Sequence, residues 1–131
     1  MSVESEVKTR LSTDINVLAI LGERIYPVIL PQNPILPAAQ YVIMDAAPTI
    51  NLSAKAGLYR YEMQIDIFAR KYSEVVNAEN IVRKSLQSYS NIETGSIQAI
   101  HHLMSSDDFE KEISDYKKIM RFSIWHNREN P

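Results

Sequence analysis

The clearest pattern along the chain is a strict alternation of apolar and polar residues between positions 59 and 70. Charged or amide side chains stand between apolar residues that occupy every second position: Tyr59, Tyr61, Met63, Ile65, Ile67 and Ala69. A period of two residues predicts a β-strand with one buried face and one solvated face. Phe68 is the single large apolar residue on the solvated face of this strand.

Three further segments are predicted to be strands. Residues 40–46 form one that ends before Pro48, and residues 97–104 form a less regular one. Residues 116–126 alternate again and place Trp125 on the more polar face. Phe68 and Trp125 therefore occupy equivalent places, as aromatic rings on otherwise polar strand faces.

Helical periodicity appears at three places. Val3, Val7 and Leu11 recur at every fourth position, with glutamate and lysine between them. Two more helices are predicted over residues 14–21 and 74–88, the first of which ends at Gly22. The predicted N-caps of the three helices are Ser2, Thr13 and Ser73.

The order helix, helix, strand, strand, helix, strand, strand predicts an α+β fold. Two hairpins that flank a helix favour a single antiparallel sheet of about four main strands, with the helices packed on one face. A length of 131 residues is that of one ordinary domain. We therefore expect one domain over residues 1–131.

Residues 22–43 contain four of the six prolines. Pro31 and Pro34 have the spacing of a polyproline ligand, but the apolar residues around them are too numerous for a free linker. Proline fixes φ and removes a donor, which suits an extended strap across a surface or a sheet edge. We interpret the segment as such a strap, with residues 24–30 pairing briefly as an edge strand.

Composition excludes several classes of protein. A net charge of −2 is unsuited to holding nucleic acid by bulk electrostatics. The chain has no cysteine, so disulfides and thiol chemistry are excluded. It has no apolar stretch of ~20 residues that would predict a membrane span, and its charged start does not resemble a signal peptide. These features favour folding in the cytosol.

A search for chemistry finds no convincing motif. His101 and His102 are adjacent, so on a strand they point to opposite faces and cannot chelate one ion together. The histidines are interpreted as solvated or interface residues, and neither a metal site nor a cofactor is expected. There is no phosphate-cradling glycine loop and no nucleophile motif with its partners. The sequence therefore predicts that the protein is not an enzyme.

Residues 105–115 are acidic and are interpreted as a long turn or a frayed hairpin end. The acidic cluster consists of Asp107, Asp108, Glu110, Glu112 and Asp115. It is either a solvated turn or a negative patch that faces a partner or a DNA channel, where it would repel a passing polyanion. Phe68 and Trp125 likewise either pack under a helix end or terminus, or form a patch that another subunit covers.

Four segments in this order resemble the tail-completion or tail-terminator proteins of long-tailed bacteriophages. They are LAILGERIYP at 18–27, ILPAAQYVI at 35–43, the strand and helix at 57–86, and YKKIMRFSIWHNRE at 116–129. The resemblance covers most of the chain and is weakest over residues 91–115. No single motif is diagnostic, so the order of the four carries the resemblance.

The resemblance implies a structural role in the virion, after assembly in the host cytoplasm. Such proteins form a ring, usually a hexamer, on the head-proximal end of the tail tube. The ring ends tube polymerisation and makes the surface that docks to the head connector, while DNA passes through its lumen. The implied partners are other copies of the chain, the major tail tube protein and a head-completion or connector protein, with no membrane.

A closed ring needs interfaces between subunits. Our candidates for those contacts are the two aromatic residues, the exposed side of the strap and the loop at 49–57: Phe68, Trp125, Pro31, Pro34, Asn51 and Lys55. Two alternatives remain. One is a head-completion or neck adaptor protein of the same virion, and the other is a small cytosolic ligand-binding or enzymatic domain.

Overall fold

The computed structural model describes residues 2–48, 58–87, 89–91, 96–110 and 115–127. The elements, in chain order, are α1 (Val3–Thr13), α2 (Ile15–Leu21), β1 (Ile25–Pro27), β2 (Ala38–Pro48), β3 (Leu58–Ala69), α3 (Tyr72–Leu86), β4 (Ile97–Glu110) and β5 (Asp115–Asn127). The strands form one sheet in the order β1-β2-β3-β5-β4. The predicted α+β class is thus confirmed.

The sheet has five strands and is mixed, so the prediction of a purely antiparallel sheet of about four strands is wrong. β1 runs parallel to β2, whereas the other neighbouring strands are antiparallel. The cause lies in the proline segment, residues 28–37. It carries the chain from the end of β1 back to the start of β2, which therefore runs in the same direction as β1.

The first two helices begin and end close to the predicted positions. Ser2 caps α1 by accepting a hydrogen bond from the Ser5 N–H. The cap of α2 is Asp14 and not Thr13, whose hydroxyl instead donates to the Thr9 carbonyl. α2 ends at Gly22, where φ is +55°, a conformation that favours glycine.

The third helix starts earlier than predicted. α3 begins at Tyr72, and its N-cap residue Lys71 makes no side-chain capping hydrogen bond. The predicted cap, Ser73, already lies inside the first turn because the helix follows β3 after only two residues. None of the described helices is both long and apolar enough to cross a bilayer.

The hydrophobic core lies between the helices and one face of the sheet. The alternating residues of β3 and β5 face the helices as predicted, and Met63 and Phe122 pair directly across the two strands. The helices contribute Val3, Val7, Leu11, Val75, Ala78, Val82 and Leu86 to the same core. Burial of these side chains, at about 1.5–3 kcal/mol each, is the main favourable contribution to folding.

β4 extends well beyond its predicted end at residue 104 and continues to Glu110. Residues 105–110 pair with β5 down to Asp115, so the acidic stretch is largely strand and not a turn. Both outer strands of the long ladder contain a bulge. Met44 is skipped in the pairing of β2 with β3, and Leu103 is skipped in the pairing of β4 with β5.

The core assignment predicts different costs for two phenylalanines. Phe122 is fully buried, so Phe122→Ala leaves a cavity and should lower the free energy of unfolding by about 3–5 kcal/mol. Phe109 is 42% exposed, and Phe109→Ala should cost less than about 1 kcal/mol. Urea denaturation of both variants measures the difference. Equal costs would contradict the assignment of Phe122 to the core.

Candidate assembly surface

The proline segment is tied to the sheet by backbone and side-chain hydrogen bonds. The Val28 N–H donates to the Tyr41 carbonyl at 2.7 Å, and the Leu30 N–H donates to Gln40 Oε1 at 3.1 Å. Arg24 Nε donates to the Pro37 carbonyl at 2.9 Å. The segment is therefore a strap within the fold, as the sequence indicates, and Ile25–Pro27, within the predicted 24–30, form the edge strand β1.

The strap leaves much apolar surface in solvent, with Val28 63%, Ile29 74% and Ile35 72% exposed. Pro31 is exposed and Pro34 is half-buried. The role of these prolines at a subunit interface stays a prediction.

Farther along the strap, a cleft of about 350 Å³ is lined by Asn33, Pro34, Leu36, Arg70 and Asp115. Burial raises the pKa of the Asp115 carboxyl, although the Arg70 charge acts in the opposite direction. Arg70 directly follows β3 and Asp115 begins β5. The strap therefore lies over the end of β3 and the start of β5.

Phe68 and Trp125 lie on the sheet face away from the helices. Phe68 is only 6% exposed, and Lys117 Nζ lies 5.4 Å from its ring centroid. Phe68 is therefore largely covered within the chain, and an interface role for it stays a prediction. Trp125 is half-buried, with its ring 4.9 Å from that of His101. An interface role for Trp125 stays a prediction.

The same face carries a network of polar side chains. Asp66 accepts hydrogen bonds from Gln40 and Gln64, both at 3.0 Å, and lies 3.9 Å from Lys117 Nζ. Arg121 donates to the Gln64 side chain at 3.2 Å. Charges of opposite sign thus neutralise one another here, and the buried Asp66 has hydrogen-bond partners.

The acidic cluster is partly neutralised within the protein. Asp107 forms an ion pair with Lys118 at 2.7 Å and accepts a hydrogen bond from the Tyr72 hydroxyl at 2.8 Å. These hydrogen bonds hold the pKa of Asp107 below its ordinary value and raise the pKa values of Lys118 and Tyr72. Asp108 accepts from the Phe109 N–H. The cluster is therefore less negative than its sequence suggests.

Four other predicted site residues cannot be placed fully. Asn51, Lys55 and Glu112 lie outside the described residues. Glu110 ends β4, but its side chain is outside the described part of the structure. Their proposed contacts with partners stay predictions. Among the described residues, no group of acidic, histidine or cysteine side chains could hold a metal ion.

An aromatic cluster that the sequence did not predict lies where α3, β4 and β5 meet. It consists of Tyr72, Phe109 and Tyr116, with ring centroids of Tyr116 at 5.7 Å from Tyr72 and 5.0 Å from Phe109. All three are at least 36% exposed. Aromatic residues that share solvent-exposed surface in this way are typical of protein interfaces.

The sheet also has an unpaired edge on each side. Among the described residues, no strand pairs with the outer edge of β4. β1 covers β2 only at Ala39–Tyr41, so the outer edge of β2 is open beyond Tyr41 within the described structure. The bulge residues Met44 and Leu103, each 48% exposed, lie on these two edges.

A buried polar contact fixes the start of the chain to its last strand. Glu6 Oε1 accepts hydrogen bonds from the Ser96 N–H at 2.8 Å and from Asn91 Nδ2 at 3.0 Å. Its Oε2 accepts from His126 Nε2. Glu6 and His126 are 4% and 1% exposed, so the interpretation of His126 as a solvated or interface residue is wrong. The contact joins α1, the segment before β4, and β5.

Comparison with known proteins identifies the family of the chain. A family model described as "Tail completion protein gp17" matches residues 5–127. The chain belongs to this family. Members of this tail completion protein family are structural components of phage virions, and the protein is therefore not an enzyme.

The fold of this tail completion protein occurs in a solved virion. It superimposes with a TM-score of 0.72 and 14% identity on a chain described as "Virion of native gene transfer agent (GTA) particle". The match covers 95% of this chain and 94% of that chain. At this identity the likeness concerns the fold. A comparison with curated proteins gave no match.

For a tail completion protein, the exposed apolar residues are the first candidates for assembly contacts. Sequence reasoning selected the prolines but missed Met44, Leu103 and the aromatic cluster. The aromatic cluster was missed because the second half of β4 was not predicted. The polar run SSDD before Phe109 gives no strand periodicity there.

The buried contact makes Glu6→Ala strongly destabilising. The substitution leaves the Ser96 N–H, Asn91 and His126 without their shared acceptor, at an expected cost of about 3–5 kcal/mol. Glu4→Ala, on the same helix at a half-exposed position, should cost less than about 1 kcal/mol. Chemical denaturation at pH 7 measures both. A small cost for Glu6→Ala would show that the contact contributes little to stability.

The same carboxylate should make stability depend on pH. Burial opposes ionisation of Glu6, but the hydrogen bonds from Ser96, His126 and Asn91 outweigh it and lower its pKa from the ordinary value of 4.5. A folded-state pKa below the unfolded one stabilises the protein above the unfolded value, and this contribution is lost as pH falls through the folded value. The stability difference between wild type and Glu6→Gln should therefore shrink below pH 4.5. A difference independent of pH would contradict this account.

Proposed function

We propose that the protein is a subunit of a hexameric ring that caps the head-proximal end of the phage tail tube. The ring ends tube polymerisation and presents the surface to which the head connector docks, while DNA passes through its lumen. The membership of the tail completion family is the observation that carries this proposal. The implied partners are other copies of the chain, the tail tube protein and the connector protein.

The distribution of exposed apolar groups supports a ring. A ring is built from heterologous contacts, in which two different patches of each subunit meet. The open edge of β2 and the outer edge of β4 are two such patches, on opposite sides of one sheet. Each carries exposed apolar side chains, with Val28 and Met44 beside the first and Leu103 and Met104 on the second.

The charge of the chain is compatible with passing DNA. A net charge of −2 and the paired charges of the polar sheet face supply no cluster of free cations for phosphate binding. Within the described residues, Lys117, Lys118 and Arg121 all lie close to carboxylates. Such a surface lets a polyanion slide past without holding it.

Loss of the gene in its phage tests this function. We expect overlong tails and unattached heads, because nothing ends tube growth, and electron microscopy measures tail length directly. Purified protein added to tail tubes should form closed rings at one tube end. Phe122→Ala serves as a folding-defective control that should not complement.

Two outcomes would assign another role. Free tails of normal length together with heads that leak DNA would show a head-completion or neck adaptor protein instead. Protein that stays monomeric and does not bind tube ends would overturn the proposal as a whole.

A further inference from the structure

We propose that Leu103 of one copy inserts into the apolar cleft at the open edge of β2 in the next copy, and that repetition of this contact closes the ring. The inference rests on the proposed ring and identifies its interface. It is drawn from a protruding side chain and a cleft that lie on opposite edges of the same sheet.

The cleft lies where β1 stops covering β2. It has a volume of about 290 Å³ and is lined by Glu4, Pro27, Val28, Tyr41, Val42 and Ile43. Five of these six residues present largely apolar surface. Val28, at its margin, is 63% exposed although it is a branched aliphatic residue. A site with these properties fits an aliphatic side chain better than a polar ligand.

The protruding side chain is Leu103, at the second of two irregularities in the pairing of β4 with β5; the first lies at Gln98. Leu103 is skipped in the pairing with β5 and is 48% exposed, next to Met104 at 37%. Native proteins protect free sheet edges with bulges, with charged side chains or with proline. At the bulges of Leu103 and Met44 the skipped residues are apolar, leucine in β4 and methionine in β2. Both edges therefore expose apolar side chains that can contact another subunit.

The register of the sheet places Leu103 and the cleft at the same position along the strand direction. Following the paired residues across β3 and β5, Val42 leads to Met104 and Ile43 leads to His102. Leu103 lies between His102 and Met104, so it is level with the cleft on the far edge. Copies placed side by side, with little shift along the strands, therefore bring Leu103 of one copy opposite the cleft of the next.

Strand direction permits this contact. β2 is antiparallel to β3, β3 to β5 and β5 to β4, so β2 and β4 run in opposite directions. In head-to-tail copies, β4 of one copy therefore lies next to β2 of the next copy and runs antiparallel to it. β1 occupies the neighbouring position at Ala39–Tyr41, which confines the contact to the part of β2 beyond Tyr41. A contact between different patches repeats from copy to copy and gives a ring when the rotation between copies closes.

The polar groups around the contact are complementary. Glu4 lines the cleft, and its charge adds to burial in raising the pKa of Tyr41. On the opposite edge, His101 and His102 directly precede Leu103, and His102 Nε2 lies 2.8 Å from Ser105 Oγ. An imidazole N–H can donate to the Glu4 carboxylate when Leu103 enters the cleft. The leucine then supplies apolar contact and the histidines supply orientation.

Cysteine cross-linking tests the contact directly, because the natural chain has no cysteine. Val28→Cys and Leu103→Cys subunits should form disulfide-linked dimers when mixed in the presence of tail tubes and oxidised. The double variant should give a ladder that ends at the copy number of the ring. Each single variant alone should give no cross-link, since unlike positions meet. Leu103→Cys with Ile15→Cys, which is 78% exposed on α2, is the matched control and should give none.

A charge at the protruding position gives a second test. Leu103→Asp should reduce ring formation at tube ends at least tenfold, while the melting temperature stays within a few degrees of wild type. Ile15→Asp, at a more exposed aliphatic position, should assemble normally. Rings that form normally from Leu103→Asp, or rings without the Val28–Leu103 cross-link, would overturn this interface and leave the proposed function intact. A wild-type chain that forms no rings with tail tubes would overturn both.

Discussion

The antiparallel pairing of β3 with β5 is the contact on which the rest of the structure depends. Both strands alternate strictly, so their pairing brings Met63 against Phe122 and Ile65 against Met120 on one face. That face is wide and apolar enough to hold the helices, whose own hydrophobic residues join the same core. β2 and β4 then join the two free sides of this central pair, which leaves the open edges at the periphery of the sheet.

Polar contacts fix the outer elements to the apolar core. The buried Glu6 carboxylate joins residues that lie 85, 90 and 120 positions away, and so holds α1 over the far end of β5. Asp107 similarly joins β4 to β5 and to the start of α3 through Lys118 and Tyr72. Because these contacts orient the outer elements, the edges that carry Met44 and Leu103 have a defined position although much of their surface is exposed.

Sequence patterns predicted the elements whose side chains alternate between core and water. β3, β5 and α1 were predicted for that reason, and the strap was recognised from its apolar residues. β1 was harder because its three residues are too few to show a period, and its parallel pairing depends on a distant strand. The second half of β4 was missed because an edge strand with polar residues on both faces has no periodicity. The burial of Glu6 could not be predicted, since its partners are far away in the chain.

The short β1 strand has a consequence for when the protein associates. A subunit that assembles at a single place must remain soluble everywhere else. Long open strand edges work against this, because they promote uncontrolled stacking. Among the described residues, β1 covers Ala39–Tyr41 and so shortens the free edge of β2 to Val42–Pro48. A single contact through so short an edge is weak. In the proposed ring, association then becomes favourable only when several contacts form together, so that a template with many equivalent positions would determine where the subunits gather.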